Sequence, residues 1–321
     1  MIARGCLLAV VAGWLAMPVV RADSTFDWLA GTEWYVPAAN LLAYNASDTD
    51  LAATLPVRDQ TLWNITTSAN GQFSGNTQAT LTIGSTVSVS TSDVTGVVTP
   101  GGQVRMIFTP SGDSAGGPVT VGIGQMRDIA PDGVGTLAEM QMITGSDGVY
   151  LTHWAYMAQV PDGSFTPPTA ADYPPDTLLS TEWAWMDGTS WTLSAPAVFG
   201  TSDAAQFSVA AYTNGYFWGS GVAPASVGGA AFTLIGSATP EGNVLFNVLV
   251  DGVFTNLTGQ ITGDAATGSM ALRGYMGTDD FGDAATASVS PVPETDMWGV
   301  AMAVAAAGAV LLRLRRLSAV A

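Results

Sequence analysis

The sequence predicts an all-β protein made of two tandem repeats of an antiparallel meander, each barrel-like. Three observations carry that prediction: segments of strand length and composition, tight-turn dipeptides between them, and an internal repeat of ordered motifs. Ala79–Ile83 (ATLTI), Val104–Phe108 (VRMIF), Thr136–Met142 (TLAEMQM) and Val244–Leu249 (VLFNVL) alternate or run apolar, and helical periodicity is nearly absent. Asn70-Gly71, Asp132-Gly133, Asp147-Gly148 and Asn214-Gly215 supply residues that tolerate the positive φ of a two-residue hairpin turn.

The repeat shows in three motifs that recur in the same order. Thr32-Glu33-Trp34 returns as Thr181-Glu182-Trp183, and Asn70-Gly71-Gln72-Phe73-Ser74-Gly75 as Asn214-Gly215-Tyr216-Phe217-Trp218-Gly219. Thr99-Pro100-Gly101-Gly102 returns as Thr239-Pro240-Glu241-Gly242. In this last element proline presets φ at the second turn position and glycine closes the turn, so each copy gains a hairpin there. Five prolines between Pro161 and Asp176 oppose sheet pairing and mark the seam. The expected organisation is a first repeat at 23–160, a linker at 161–176 and a second repeat at 177–290. Val149–Met157 (VYLTHWAYM) is an aromatic segment of the first copy with no clear counterpart in the second.

The two ends read as targeting segments. Residues 1–22 carry Arg4, an apolar run from Cys6 to Val20, and small residues at Val20 and Ala22, the pattern of a secretory signal cleaved before Asp23. Residues 291–321 hold Pro293-Glu294-Thr295, then the apolar run Met297–Leu312, then Arg313, Arg315 and Arg316. That order resembles the PEP-CTERM sorting signal, with Thr295 where the family has proline. The resemblance implies export, a membrane-embedded exosortase as processing partner, and a producer that makes exopolysaccharide. Independently, the apolar run gives about 24 Å of helix at about 1.5 Å per residue, a short membrane span. The arginines after it place the C-terminus on the cytoplasmic side.

The body between these ends is acidic. It sets four arginines, Arg58, Arg105, Arg127 and Arg273, against all but two of the 26 carboxylates, and the chain has no lysine. Such a surface repels phosphate backbones, which excludes nucleic acid as a partner. The only cysteine, Cys6, lies in the signal, so no disulfide staples the mature fold and its hydrophobic core holds it alone. Each copy opens on an aromatic strand. Gly31-Thr32-Glu33-Trp34 resembles the Gly-x-Trp opening of lipocalin and streptavidin barrels, in which the tryptophan plugs the floor. In the second copy Ser180 stands where the glycine would be. The resemblance implies a closed or nearly closed meander of six to eight strands per copy.

Candidate chemistry is sparse, and no catalytic residue is assigned. Gly112-Asp113-Ser114-Ala115-Gly116-Gly117-Pro118 is similar to the nucleophile loop of chymotrypsin-like proteases. Ala115 is inserted beside the serine, however, and the only histidine, His153, follows it rather than preceding it. It is read as a hairpin loop. His153 itself is read as a strand histidine within an aromatic cluster. Asp279, Asp280 and Asp283, set among Gly277 and Gly282, are the candidate calcium ligands; no other cofactor is expected. Of the ten tryptophans, Trp154 and Trp218 are the candidate sugar-stacking residues.

The functional expectation is a cell-surface or matrix protein associated with exopolysaccharide and without catalysis. The alternatives are a carboxylate-dependent glycan hydrolase and a small-ligand carrier. A filled barrel with aromatic rings outside favours the first reading, and a pocket with convergent polar groups near His153 favours the other two.

Overall fold

The computed structural model describes residues 24–36, 40–45, 55–83, 85–128, 137–146, 149–160, 166, 180–250, 253–276 and 279–290. The expected signal at 1–22, the expected sorting residues Pro293, Glu294, Thr295, Arg313, Arg315 and Arg316, and all but one residue of the proline-rich linker lie outside the described residues. Within them, alternating strands separated by turns fold into two closed antiparallel barrels.

The first barrel comprises β1 (Thr32–Tyr35), β2 (Asn40–Asn45), β3 (Leu55–Ala69), β4 (Gln72–Ile83), β5 (Thr86–Val98), β6 (Gln103–Pro110), β7 (Thr120–Asp128), β8 (Leu137–Ser146) and β9 (Val149–Gln159). From β3 to β9 each strand pairs with the next in sequence. β1 and β2 both pair with β3 and with β9, at different heights, so together they form one stave and close the ring. The second barrel is β10 (Ser190–Ser194), β11 (Ala205–Thr213), β12 (Tyr216–Val222), β13 (Ala231–Ala238), β14 (Asn243–Val250), β15 (Val253–Thr262), β16 (Ser269–Met276) and β17 (Asp279–Val289), closed by pairing of β10 with β17. Closure pairs every described strand on both sides for at least part of its length, and the start of β5, Thr86–Thr91, extends beyond the end of β6. The one α-helical turn among the described residues, α1 (Pro196–Phe199), bridges β10 and β11.

The duplication is visible bond by bond. Asn70 and Asn214 both adopt positive φ (56° and 48°), as the glycine after each does. The Gly71 carbonyl accepts from Val98 N–H at 2.8 Å, and the Gly215 carbonyl accepts from Ala238 N–H at 2.7 Å. The turns at Pro100 and Pro240 superimpose in their bonding, with Gly102 N–H on Thr99 O at 2.8 Å and Gly242 N–H on Thr239 O at 2.9 Å. A bulge interrupts β3 between Ile65 and Thr67 and β11 between Val209 and Ala211.

One expected equivalence is corrected. Trp34 does not correspond to Trp183; its counterpart is Trp191. Gly31 and Gly188 share positive φ (76° and 70°), and their N–H groups bond Ile65 O and Val209 O, which are equivalent positions beside the bulge. Trp34 Nε1 donates to Thr32 Oγ1 at 2.7 Å and Trp191 Nε1 to Thr189 Oγ1 at 2.8 Å. In turn Thr32 Oγ1 bonds Leu29 O and Thr189 Oγ1 bonds Met186 O, each carbonyl closing a short 3₁₀ turn. The repeated opening is therefore Gly-Thr-x-Trp in both copies, Gly31–Trp34 and Gly188–Trp191. The Thr-Glu-Trp of the second copy precedes the 3₁₀ turn, where Trp183 stands at the place of Phe26.

The barrels pack through the outer faces of β7–β9 and β12–β14. Ile123, Ile143, Ile235 and Leu245 form an apolar contact between them. Gln141, wholly buried, donates to Ser237 Oγ at 2.9 Å and Asn243 O at 3.1 Å across the junction. Arg127 meets Glu139 at 2.6 Å, and Asn243 Nδ2 reaches the same carboxylate oxygen at 3.2 Å. Burial raises the Glu139 pKa, opposed by the Arg127 charge.

Candidate functional site

The two barrels are filled differently. In the second, rings occupy the axis: Trp191 stacks on Phe207 (5.9 Å between centroids), Phe217 meets Phe246 (5.9 Å), and Phe199 from α1 meets Phe232 (5.7 Å). Phe232 fits because Gly221 lies opposite it, where a Cβ would come within 2.3 Å of the ring. Strand register places Thr77 and Ser92 of the first barrel at the positions of Gly221 and Phe232. It likewise places His153 at Ala285 and Thr144 at Gly274. Where the second copy puts a phenylalanine, the first has two short hydroxyl side chains, and a cavity of about 230 Å³ results.

The floor of this cavity is apolar. Trp63 is buried and packs edge-on against Phe108 at 5.7 Å, and Met140, Met142 and Met157 complete the lower wall. The upper wall sets ionisable and hydroxyl groups beside Leu81 and Leu151, and part of it belongs to extra strand length. β3 begins six residues earlier than β11 in matched register, and those residues carry Asp59. Strand alternation then puts Asp59, Thr61 and Trp63 on one inward face.

Asp59 and His153 converge at the top. Thr61 Oγ1 donates to Asp59 Oδ2 at 2.7 Å, His153 Nδ1 lies 3.9 Å from that oxygen, and Thr144 Oγ1 is 2.9 Å from His153 Nε2. Asp59 Oδ1 is buried and has no hydrogen-bond partner among the described residues. The Asp59 side chain is 3% exposed and that of His153 15%. Burial without a cation pushes the Asp59 pKa up to about 7, only partly offset by the Thr61 hydroxyl. Burial pushes His153 down to about 4, so the imidazole is neutral at physiological pH.

The order Asp59–His153–Thr144 is that of an acyl-transfer relay. Such chemistry also needs N–H donors aimed at a developing oxyanion. Where the strands that wall this cavity are paired on both sides, their N–H groups serve the sheet ladder. Ser114, the other candidate nucleophile, does not line the cavity; its Oγ accepts from Thr91 N–H at 3.0 Å, closing the β6–β7 loop.

β9 serves the cavity and the junction at once. His153, Ala155 and Met157 face inward, while Trp154 and Tyr156 face the second barrel. Trp154 is fully buried there: its backbone N–H and carbonyl both bond Tyr216 Oη at 3.1 Å, and its ring packs edge-on against Tyr156 at 5.6 Å. Tyr156 Oη donates to Glu241 at 2.8 Å. Trp154 thus offers no ring face to an external sugar, because the second barrel covers it. Trp218 is half-buried and packs against the same cluster. Asp279, Asp280 and Asp283 fall on β17, with Asp279 and Asp280 opposite Met276 and Tyr275; their side chains lie outside the described residues. Among the described residues no three or more His, Cys, Asp or Glu side chains gather as a metal site.

Comparison with protein families, with curated proteins and with solved structures finds no match to this chain.

Proposed function

We propose that the chain is an exported, non-catalytic binder of a small organic ligand, held inside the first barrel. The observation that carries this reading is the unequal filling of two duplicated barrels. One copy closes its axis with Phe232 and Phe199, and the other keeps a cavity of about 230 Å³ with an apolar floor and a buried Asp59–His153 pair. A dry apolar cavity of roughly 150 Å³ takes benzene, so this one suits a ligand somewhat larger than a single ring. The second barrel is the support: it buries the outer face of β9, whose inner face carries His153. Export, and processing at Pro293-Glu294-Thr295 by an exosortase, belong to the same proposal and rest on the sequence of the two ends. Association with exopolysaccharide keeps that support from the tail, but the burial of Trp154 removes one of its two aromatic candidates.

The test is to fill the first cavity as the second copy fills its own. The native chain should bind 3-phenylpropanol in a calorimeter, and the double variant Thr77→Gly/Ser92→Phe should fold and lose that binding. Absence of binding by the native chain, or unchanged binding by the filled variant, would overturn the reading.

A further inference from the structure

We propose that the first barrel takes small organic amines, the Asp59 carboxylate seating the ammonium group and the apolar floor seating the hydrocarbon body. This rests on the calyx reading above and adds the chemical class of the ligand.

Four features converge on it. First, Asp59 Oδ2 is held by Thr61, which fixes the carboxylate and leaves Oδ1 as a buried acceptor with no partner among the described residues. An ionised carboxylate only accepts hydrogen bonds, so the complementary ligand group must donate. Second, among the described residues no lysine or arginine lines the cavity, and the only other titratable group there is His153 on β9, 3.9 Å away and engaged by Thr144 on its other nitrogen. Among the described residues no cationic side chain balances Asp59, so a cationic ligand would supply that balance, whereas a carboxylate or phosphate would meet like charge. Third, an ammonium has three donors, and the hydroxyls of Thr61, Ser90 and Thr144 line the same cavity on the side of Asp59 and His153. Fourth, the chain carries a net charge of −17, a field that concentrates cations and depletes anions around it.

Below this polar storey lie Trp63, Phe108 and the three methionines, a surface that adapts to an alkyl or aromatic body. The arrangement accommodates one amine on a body of one to two rings. No covalent step is involved; the ligand enters protonated and leaves protonated.

The purified full chain at pH 8 is titrated in a calorimeter with 3-phenylpropylamine and with 3-phenylpropanol, which share size and body but differ in charge. Hydrogen bonds to a charged partner contribute about 1.5–3 kcal/mol, so the amine should bind about ten- to a hundredfold more tightly than the alcohol. Asp59→Asn should abolish that preference while alcohol binding persists, which shows the variant's cavity intact. The amine-to-alcohol ratio is read on the native chain and does not depend on the variant folding. Equal binding of the two probes, insensitive to Asp59→Asn, would overturn the amine assignment and leave the calyx standing. No binding of either probe would overturn both.

Discussion

Asp59 sits in the fold with its pKa raised from 3.8 to about 7, and replacing it with asparagine should change the pH dependence of stability in a calculable way. A carboxyl whose folded pKa lies above its unfolded value favours the fold when protonated. Its contribution is fully present below pH 3.8 and is lost as pH rises through about 7. The shift corresponds to about 4 kcal/mol of destabilisation at pH 8 and about 1.5 kcal/mol at pH 5. With its side chain 3% exposed, solvent screening removes little of this. Asparagine keeps the shape and cannot ionise. Its other effects, such as the changed bond to Thr61, are largely independent of pH and cancel when the two pH values are compared. Urea unfolding of both proteins at pH 8 and pH 5 should therefore show Asp59→Asn gaining about 2.5 kcal/mol relative to native at the higher pH. At an m-value of about 3 kcal/mol per molar, that is a relative midpoint shift of roughly 0.8 M. Parallel pH profiles for the two proteins would refute the claim that Asp59 is buried without a counter-charge.

His153 has the opposite sign: burial holds its folded pKa below the 6.5 of a free imidazole, so stability falls as pH drops from 6.5 toward about 4, and His153→Gln should flatten that limb in acid-unfolding curves. Trp154→Ala removes a wholly buried ring at the junction and should cost about 3–5 kcal/mol by chemical denaturation; a change below 1 kcal/mol would place the ring elsewhere. Gly221→Ala sets a Cβ against the Phe232 ring and the Gln206 carbonyl and should lower the melting temperature measurably, whereas Thr77→Ala at the matched position of the first barrel should not. In a host with the sorting machinery, intact mass should place the mature N-terminus at Asp23, and Glu294→Ala should leave a longer, membrane-retained species. An uncut tail on the native protein would leave only a plain anchor.

The architecture was legible because it is written locally. A two-residue turn needs particular residues, so Asn70-Gly71 and Asn214-Gly215 announce hairpins without knowledge of the rest of the chain. The Thr-Pro-x-Gly turns do the same, and their shared order exposes the duplication. The repeat register was legible too, but the identical Thr-Glu-Trp tripeptides drew the eye to the wrong pair. Gly31-Thr32-x-Trp34 and Gly188-Thr189-x-Trp191 share fewer adjacent letters, yet they share the glycine conformation and the threonine bond that make the motif work.

The site was not legible in the same way. One signal for Asp59 was present: it stands in alternation with Thr61 and Trp63, and a carboxylate in phase with an inward tryptophan is unusual on a strand. Spacing along one strand fixes which face a residue takes, but not what stands across the barrel from it. Asp59 and His153 are 94 positions apart and meet because the ring closes.

From the sequence alone came the all-β class, the turns, the duplication and the acidic surface, each of them a property of short stretches or of composition. Tertiary structure alone decided which copy has room inside and which side of β9 is covered. Whether a barrel is filled depends on side chains contributed by different strands at one height, so Ser92 acquires meaning only beside Thr77, Thr144 and His153. Trp154 reads as a free aromatic on its strand, and it is the packing of a second, separately folded barrel that buries it.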